Sequence, residues 1–206
     1  MAVLALSLYG AFLLIAGPLR AGIQYRRTGD TGARHGRLGT AQWWGSIAPG
    51  LGSLLAGILA PAAEITGLVH PLPGLDGMPV RITGVVLAVL GIAATFTAQL
   101  AMGASWRIGV APGETTALVT TGPFKLVRNP IYTAAILTVS GLALMVPNPL
   151  ALAGLAATVI GIEITVRLVE EPYLLRVHGA AYAGYAARTG RFLPRLGRLS
   201  APRPPG

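Results

Sequence analysis

From Ile82 to Met102 the chain runs for 21 residues without one charged side chain. A helix of that length rises about 30 Å, which is the thickness of a bilayer's hydrocarbon core. Four more apolar runs follow, at about Met1 to Leu19, Trp43 to Ala62, Ile131 to Val146 and Leu150 to Val166, of which the last alone holds a charged residue, Glu163. Backbone N–H and C=O groups find no water inside lipid, so such runs cross as helices. Charged residues make up 11% of the chain, against about 25% in soluble domains. The fold expected is an all-α integral membrane bundle of about five transmembrane helices, in one domain over residues 1–206. Met1 to Leu19 lacks a basic start and is long enough to span, so it reads as a helix rather than a signal peptide. Pro49 and Pro61 are expected to kink the second run.

The basic residues orient the bundle. Arg20 to Arg37 holds five arginines, Gly103 to Pro130 holds Arg107, Lys125 and Arg128, and the chain from Arg167 onward holds seven more. With these three regions on one side, 15 of the 16 basic residues lie together and only Arg81 is opposite. Cytoplasmic loops of membrane proteins carry such an excess. The expectation is an N-terminus outside, a C-terminus in the cytoplasm, and a multi-pass protein of a bacterial plasma membrane. Topology thereby accounts for the net charge of +9, and no nucleic-acid partner is needed. There are no cysteines and only three scattered histidines, His35, His70 and His178, so no metal site is expected.

Smaller signals fill in the plan. Pro147-Asn148-Pro149 forms a tight turn, making the last two spans an antiparallel hairpin. Pro172 is expected to interrupt the fifth helix and start a new one. From there Leu174, His178, Tyr182 and Tyr185 recur at helical spacing, as in an amphipathic helix lying at the interface. Beyond Arg188 the periodicity is lost, and residues 195–206 are expected to be a disordered tail touching anionic lipid. Trp43, Trp44 and Trp106 suit an interfacial belt. Glu64 suits the outer end of the second span.

Two polar knots stand out from this frame. The first is Thr120 to Tyr132, which reads T-T-G-P-F-K-L-V-R-N-P-I-Y. Asn129 and Pro130 are placed to cap and begin the fourth helix, whose free N–H groups favour an anionic group. The same residues also read as helix punctuation, with Lys125 and Arg128 snorkelling. The second knot is Glu163 to Glu171. Spacings of four, seven and eight put Glu163, Arg167 and at least one of Glu170 and Glu171 on a shared helical face. Ionisable groups within a span are costly and tend to be paired and functional. An ion-pair ladder ending the span accounts for them equally well.

The order of these motifs over about eighty residues resembles the isoprenylcysteine carboxyl methyltransferase family, within a wider group of small membrane methyltransferases that includes the phospholipid methyltransferases. The matching residues are Leu118-Val119-Thr120-Thr121-Gly122-Pro123-Phe124, Arg128-Asn129-Pro130-Ile131-Tyr132 and Asn148-Pro149. They continue with Glu170-Glu171-Pro172-Tyr173-Leu174, then Gly179, Tyr182 and Tyr185, and end on Leu193-Pro194. The resemblance covers residues 115–194, while residues 1–114 match only in being apolar. Asn129 stands where the family places histidine, Phe124 where it places tyrosine, and the arginine before the glutamate pair is offset by one position.

What the resemblance implies is an S-adenosylmethionine-dependent methyltransferase whose pocket faces the cytoplasm under the C-terminal segment. The cofactor is S-adenosylmethionine, and the acceptor is a lipophilic molecule or lipid entering from the bilayer. Carried over by position, Thr116, Ala117, Leu118 and Val119 line the cofactor, and Phe124, Asn129, Pro130, Ile131 and Tyr132 continue that wall. Glu170 holds a polar part of the cofactor and Arg167 faces the acceptor, which makes these two the implied catalytic residues. Methyl transfer from a sulfonium is an in-line displacement, so alignment and exclusion of water supply much of the rate. A non-catalytic scaffold or small transporter is the alternative. It has little support, since the third span offers only Thr95, Thr97 and Gln99 toward one end, besides Thr83 at its start. A membrane reductase is a further alternative, although no glycine-rich dinucleotide fingerprint is present.

Overall fold

The computed structural model describes residues 1–32, 39–107 and 117–200. His35, Arg34, Arg37 and Thr116 lie outside the described residues. Five helical runs make the bundle. They are α1 (Ala2–Thr28), α2 (41–65), α3 (Met78–Ala101), α4 (Pro130–Met145) and α5 (Pro149–Arg188). Among the described residues there is no strand; one isolated parallel bridge joins Val127 to Gly190. Helices α1, α3 and α5, with Ile47–Ile65 of α2, are long and apolar enough to cross a membrane. With 16 residues, α4 is the short one. The chain is an all-helical integral membrane protein.

Three of the runs contain a wide, π-helical turn, at Ile15–Leu19, Leu55–Leu59 and Val166–Glu170. Each lies beside a proline. Pro18 is inside the first, Pro61 follows the second by two residues, and Pro172 follows the third by two. Proline lacks an N–H, and its ring clashes with the carbonyl four residues earlier. A turn with one extra residue relieves the clash and lets the helix go on. Pro172 therefore does not interrupt the fifth helix as expected. The break comes at Gly179, where φ is +48° and ψ −125°.

Small residues set the helix contacts. A Cβ on Gly141 of α4 would lie 2.3 Å from the Ala88 nitrogen of α3, so only glycine allows that approach. Gly154 meets Ala56 in the same way, locking α5 to α2. Such close backbones are how helices pack where lipid removes the hydrophobic drive. Tyr9 of α1 is buried and shares a hydrogen bond of 2.9 Å with Ser53 of α2.

The two ends of the bundle differ. At one end the Pro147-Asn148-Pro149 turn is fixed by Asn148, whose Oδ1 accepts from Ala151 N at 3.0 Å and whose Nδ2 donates to Ala60 O at 3.1 Å. Arg81 pairs with Glu64 there at 3.4 Å. The arginine-rich end carries both polar knots.

There the chain after α5 does not trail away. Residues 189–199 form a strap across the start of α4. Arg128 N donates to Gly190 O at 2.8 Å, Asn129 N to Arg191 O at 3.1 Å, and Thr133 Oγ1 to Phe192 O at 2.9 Å. Leu199 N returns to Ala186 O at 3.1 Å. Expected disorder from residue 195 is thus corrected for 195–199, whose backbone bonds are met by the first knot and by α5. Residues 201–206 lie outside the described residues. Tyr182 and Tyr185 turn inward and pack with Leu118, Leu174 and Leu199, so the inner face of this last part of α5 covers protein.

Candidate functional site

The two knots and the last part of α5 border a cavity of about 310 Å³. Loop residues Ala117, Leu118 and Val119 form one part of its wall. Phe124, from the short 3-10 turn Gly122–Lys125, and Asn129, Pro130, Ile131 and Tyr132, from the start of α4, form the next. Glu170 faces them from α5, and Tyr182 and Tyr185 close the roof. Every described residue that the resemblance assigns to the cofactor therefore borders one cavity. Thr116 lies outside the described residues.

Local geometry brings these groups together. Gly122 adopts φ +57°, which lets the chain turn sharply into the 3-10 turn. Pro130 opens α4 at a position where its missing N–H costs nothing. Asn129 occupies the N-cap position, yet its side chain makes no capping bond. Its Nδ2 donates instead to Arg191 O at 3.2 Å, tying the cap to the strap. Tyr185 Oη donates to Phe124 O at 2.6 Å and holds the roof against the turn.

The paired glutamates have separate roles. Glu170 ends the wide turn, and its Oε1 accepts from Tyr132 Oη at 2.6 Å. This short bond to a carboxylate links the two knots directly. Successive helix residues point about 100° apart, so Glu171 faces away from that contact. It meets Arg128 at 2.5 Å and Arg191 at 2.8 Å, with the Arg128 side chain only 1% exposed. Arg128 also donates to Ala186 O, Thr189 O and Gly197 O. The hydrogen bonds to Glu171 raise the Arg191 pKa above the ordinary arginine value. This buried triad corrects the expectation that Arg128 snorkels to water. Sequence reasoning missed it because its partners lie 43 and more residues away.

Arg167 is placed differently from expectation. It pairs with Glu163, its side chain is 55% exposed, and it does not border the cavity. The wide turn at Val166–Glu170 adds a residue between the Glu163–Arg167 pair and Glu170, so the shared face drawn from ordinary helical spacing does not continue across it. Exposed pairs of this kind contribute about 0–1 kcal/mol. Arg167→Ala is expected to shift the stability of the folded chain by no more than about 1 kcal/mol, measured by thermal unfolding in detergent. A larger loss would show that the pair is not screened by solvent.

The first three helices and the segment just after α3, which includes Arg107, supply a further part of the wall. Ala16, Pro49, Gln99, Met102 and Trp106 border the cavity from that side. Trp106 is 3% exposed and lies 4.4 Å beneath the guanidinium of Arg20, so it is not part of an interfacial belt. Arg20, read as a loop arginine, is fully buried, bonding Gln99 O at 3.3 Å and Gly103 O at 2.8 Å. A polar Gln99 inside an apolar span was the available signal for this side.

Comparison with known proteins adds the following. Residues 80–181 match the model of the phospholipid methyltransferase family. The chain is 28% identical over 115 residues to the nickel-cobalt-cadmium resistance protein NccN of Alcaligenes xylosoxydans xylosoxydans. That alignment covers 55% of this chain and 54% of the relative, so the chain spans about half the length of the protein it matches. Among the described residues no group of three or more His, Cys, Asp or Glu is placed to hold a metal ion.

Proposed function

Because residues 80–181 carry a phospholipid methyltransferase family segment, we propose that this membrane protein transfers a methyl group from S-adenosylmethionine to a lipophilic acceptor. The observation that carries the reading is the Tyr132–Glu170 bond at 2.6 Å, made inside that segment and on the wall of the cavity. The cavity's 310 Å³ is within the usual range for small-molecule sites.

The residues present fit the cofactor. Phe124 gives an aromatic face suited to adenine. Glu170 gives a carboxylate for an ammonium or ribose hydroxyl. Arg128 borders the cavity, and no described protein group bonds its buried Nε, which leaves a donor for a carboxylate. The bound cofactor would supply an electrophilic methyl on a sulfonium. The chain's part is alignment and exclusion of water. Tyr132 fixes the Glu170 carboxylate, and Tyr182 and Tyr185, held by the strap, keep solvent out. A lipophilic acceptor enters from the bilayer and the polar cofactor from the aqueous side, which the arginine excess makes the cytoplasm.

The test is calorimetry of the purified full chain in detergent with S-adenosylmethionine. Saturable binding is expected. Absence of binding at millimolar cofactor would overturn the reading.

A further inference from the structure

Arg20 stands in α1, outside the matched segment 80–181, and its side chain is fully buried. It reaches the end of α3, where the last carbonyls of a helix have no partner within it and favour a cation. Its Nε donates to Gln99 O at 3.3 Å and its Nη2 to Gly103 O at 2.8 Å. One turn further along α1, Gln24 Nε2 donates to Ala104 O at 2.8 Å. The last turn of α3 holds no basic residue of its own, so α1 supplies these donors from outside.

Three residues past Gly103, the same guanidinium covers the Trp106 ring, 4.4 Å from its centroid. A Cβ added to Gly32 would lie 3.1 Å from Trp106 Cε3, so the backbone at Gly32 closes on the ring edge. Trp106 borders the cavity, while Arg20 does not. Ser105 Oγ, next in the chain to Trp106, donates to Ala117 O at 3.3 Å, and Ala117 begins the 117–119 part of the wall. A ring is placed by what covers its faces, and a guanidinium held by two carbonyls is a fixed cover.

We propose that Arg20 is a positioning residue of the cavity: it sets the Trp106 ring, and with it the 117–119 wall, in the place that ligand binding requires. For the identity of the ligand the inference rests on the methyltransferase reading above; for the placing of Trp106 it does not. Helix α1 is then a working part of the site, although the family segment begins only within α3. An apolar side chain of similar length fills the space but donates nothing, which frees the exit of α3 and Trp106 to shift. Lysine keeps a cation that can lie over a ring and donate to a carbonyl, so it recovers part of the placing.

Trp106 can be watched alone, since the chain has three tryptophans and Trp43→Phe with Trp44→Phe removes the other two. In that background, in detergent, Arg20→Met should raise acrylamide quenching of Trp106 fluorescence by about twofold or more, with Arg20→Lys in between. By calorimetry on the full chain, Arg20→Met should weaken S-adenosylmethionine binding by about tenfold, with Arg20→Lys again in between. Arg20→Met combined with Trp106→Leu should bind no more weakly than Trp106→Leu alone, because residues that act through one another are not additive. Unchanged quenching in Arg20→Met, cofactor affinity equal to wild type, additive losses in the double variant, or no recovery in Arg20→Lys would overturn the assignment. If Arg20→Met does not fold, Arg20→Gln, which keeps a donor and loses the cation, takes its place with the same expected shifts. Failure of both to fold would also overturn it, since Arg20 would then serve the bundle as a whole. If wild type binds no S-adenosylmethionine, the methyltransferase reading falls, and the quenching result alone decides whether Arg20 places Trp106.

Discussion

Glu171→Ala is expected to destabilise the folded chain by about 3–5 kcal/mol, the usual cost of removing one partner from a buried ion pair. The size follows from what is left behind. Arg128 and Arg191 have side chains only 1% and 10% exposed, and both point at the same carboxylate. Without it, two guanidinium groups sit close together in a dry place, still held by strap carbonyls. Glu171→Gln keeps the shape and loses the charge, so it should fall between wild type and Glu171→Ala. Thermal unfolding in detergent, followed by circular dichroism, checks the order. Protease cleavage within 189–199 should rise in both variants. Unchanged melting in Glu171→Ala would show that the triad is solvated and contributes little.

The adjacent carboxylate should behave in the opposite way. Glu170→Ala is expected to leave melting close to wild type and to weaken S-adenosylmethionine binding by about 10- to 100-fold. That range corresponds to one hydrogen bond to a charged group, about 1.5–3 kcal/mol. Tyr132→Phe removes the hydroxyl that fixes Glu170 and should weaken binding by a smaller factor. Calorimetry on all three proteins separates these outcomes. If Glu170→Ala bound the cofactor as wild type does, the cavity would not be its site. Together the two glutamates test whether neighbours in sequence divide stability and binding between them.

How far the sequence could be read depends on distance along the chain. Apolar length alone located the five helical runs, four of which are long and apolar enough to cross a membrane, because a bilayer leaves few alternatives for such a run. The Pro147–Pro149 turn was equally legible, since both prolines and the capping asparagine act within four residues. The wall formed by Ala117 to Val119, Phe124 and Asn129 to Tyr132 was assigned by resemblance, and these residues do border one cavity.

What escaped was long-range or one residue wide. A basic residue in a short loop ordinarily reaches for water, and nothing near Arg128 in sequence shows that Glu171 and the strap will surround it. A single added residue in a helical turn leaves the composition unchanged, yet it separates the Glu163–Arg167 pair from the face that carries Glu170 to Tyr132. Pro172 carried that information, but a proline signals equally a break or a turn widened to avoid one. Gln99 was visible as a polar residue in a span, while its partner, the Ala16 carbonyl, was not.

The strap has a consequence for how the protein is made. It comes after all five helices in chain order, and it supplies the backbone carbonyls that meet Arg128 N and Asn129 N. Until residues 189–199 have left the ribosome, Arg128 and Glu171 await the segment that seals them. A chain that stops short of them leaves Arg128 and the start of α4 without the carbonyls that hold them. The arginine-rich end of the bundle is therefore closed last, by the segment that follows all five helices.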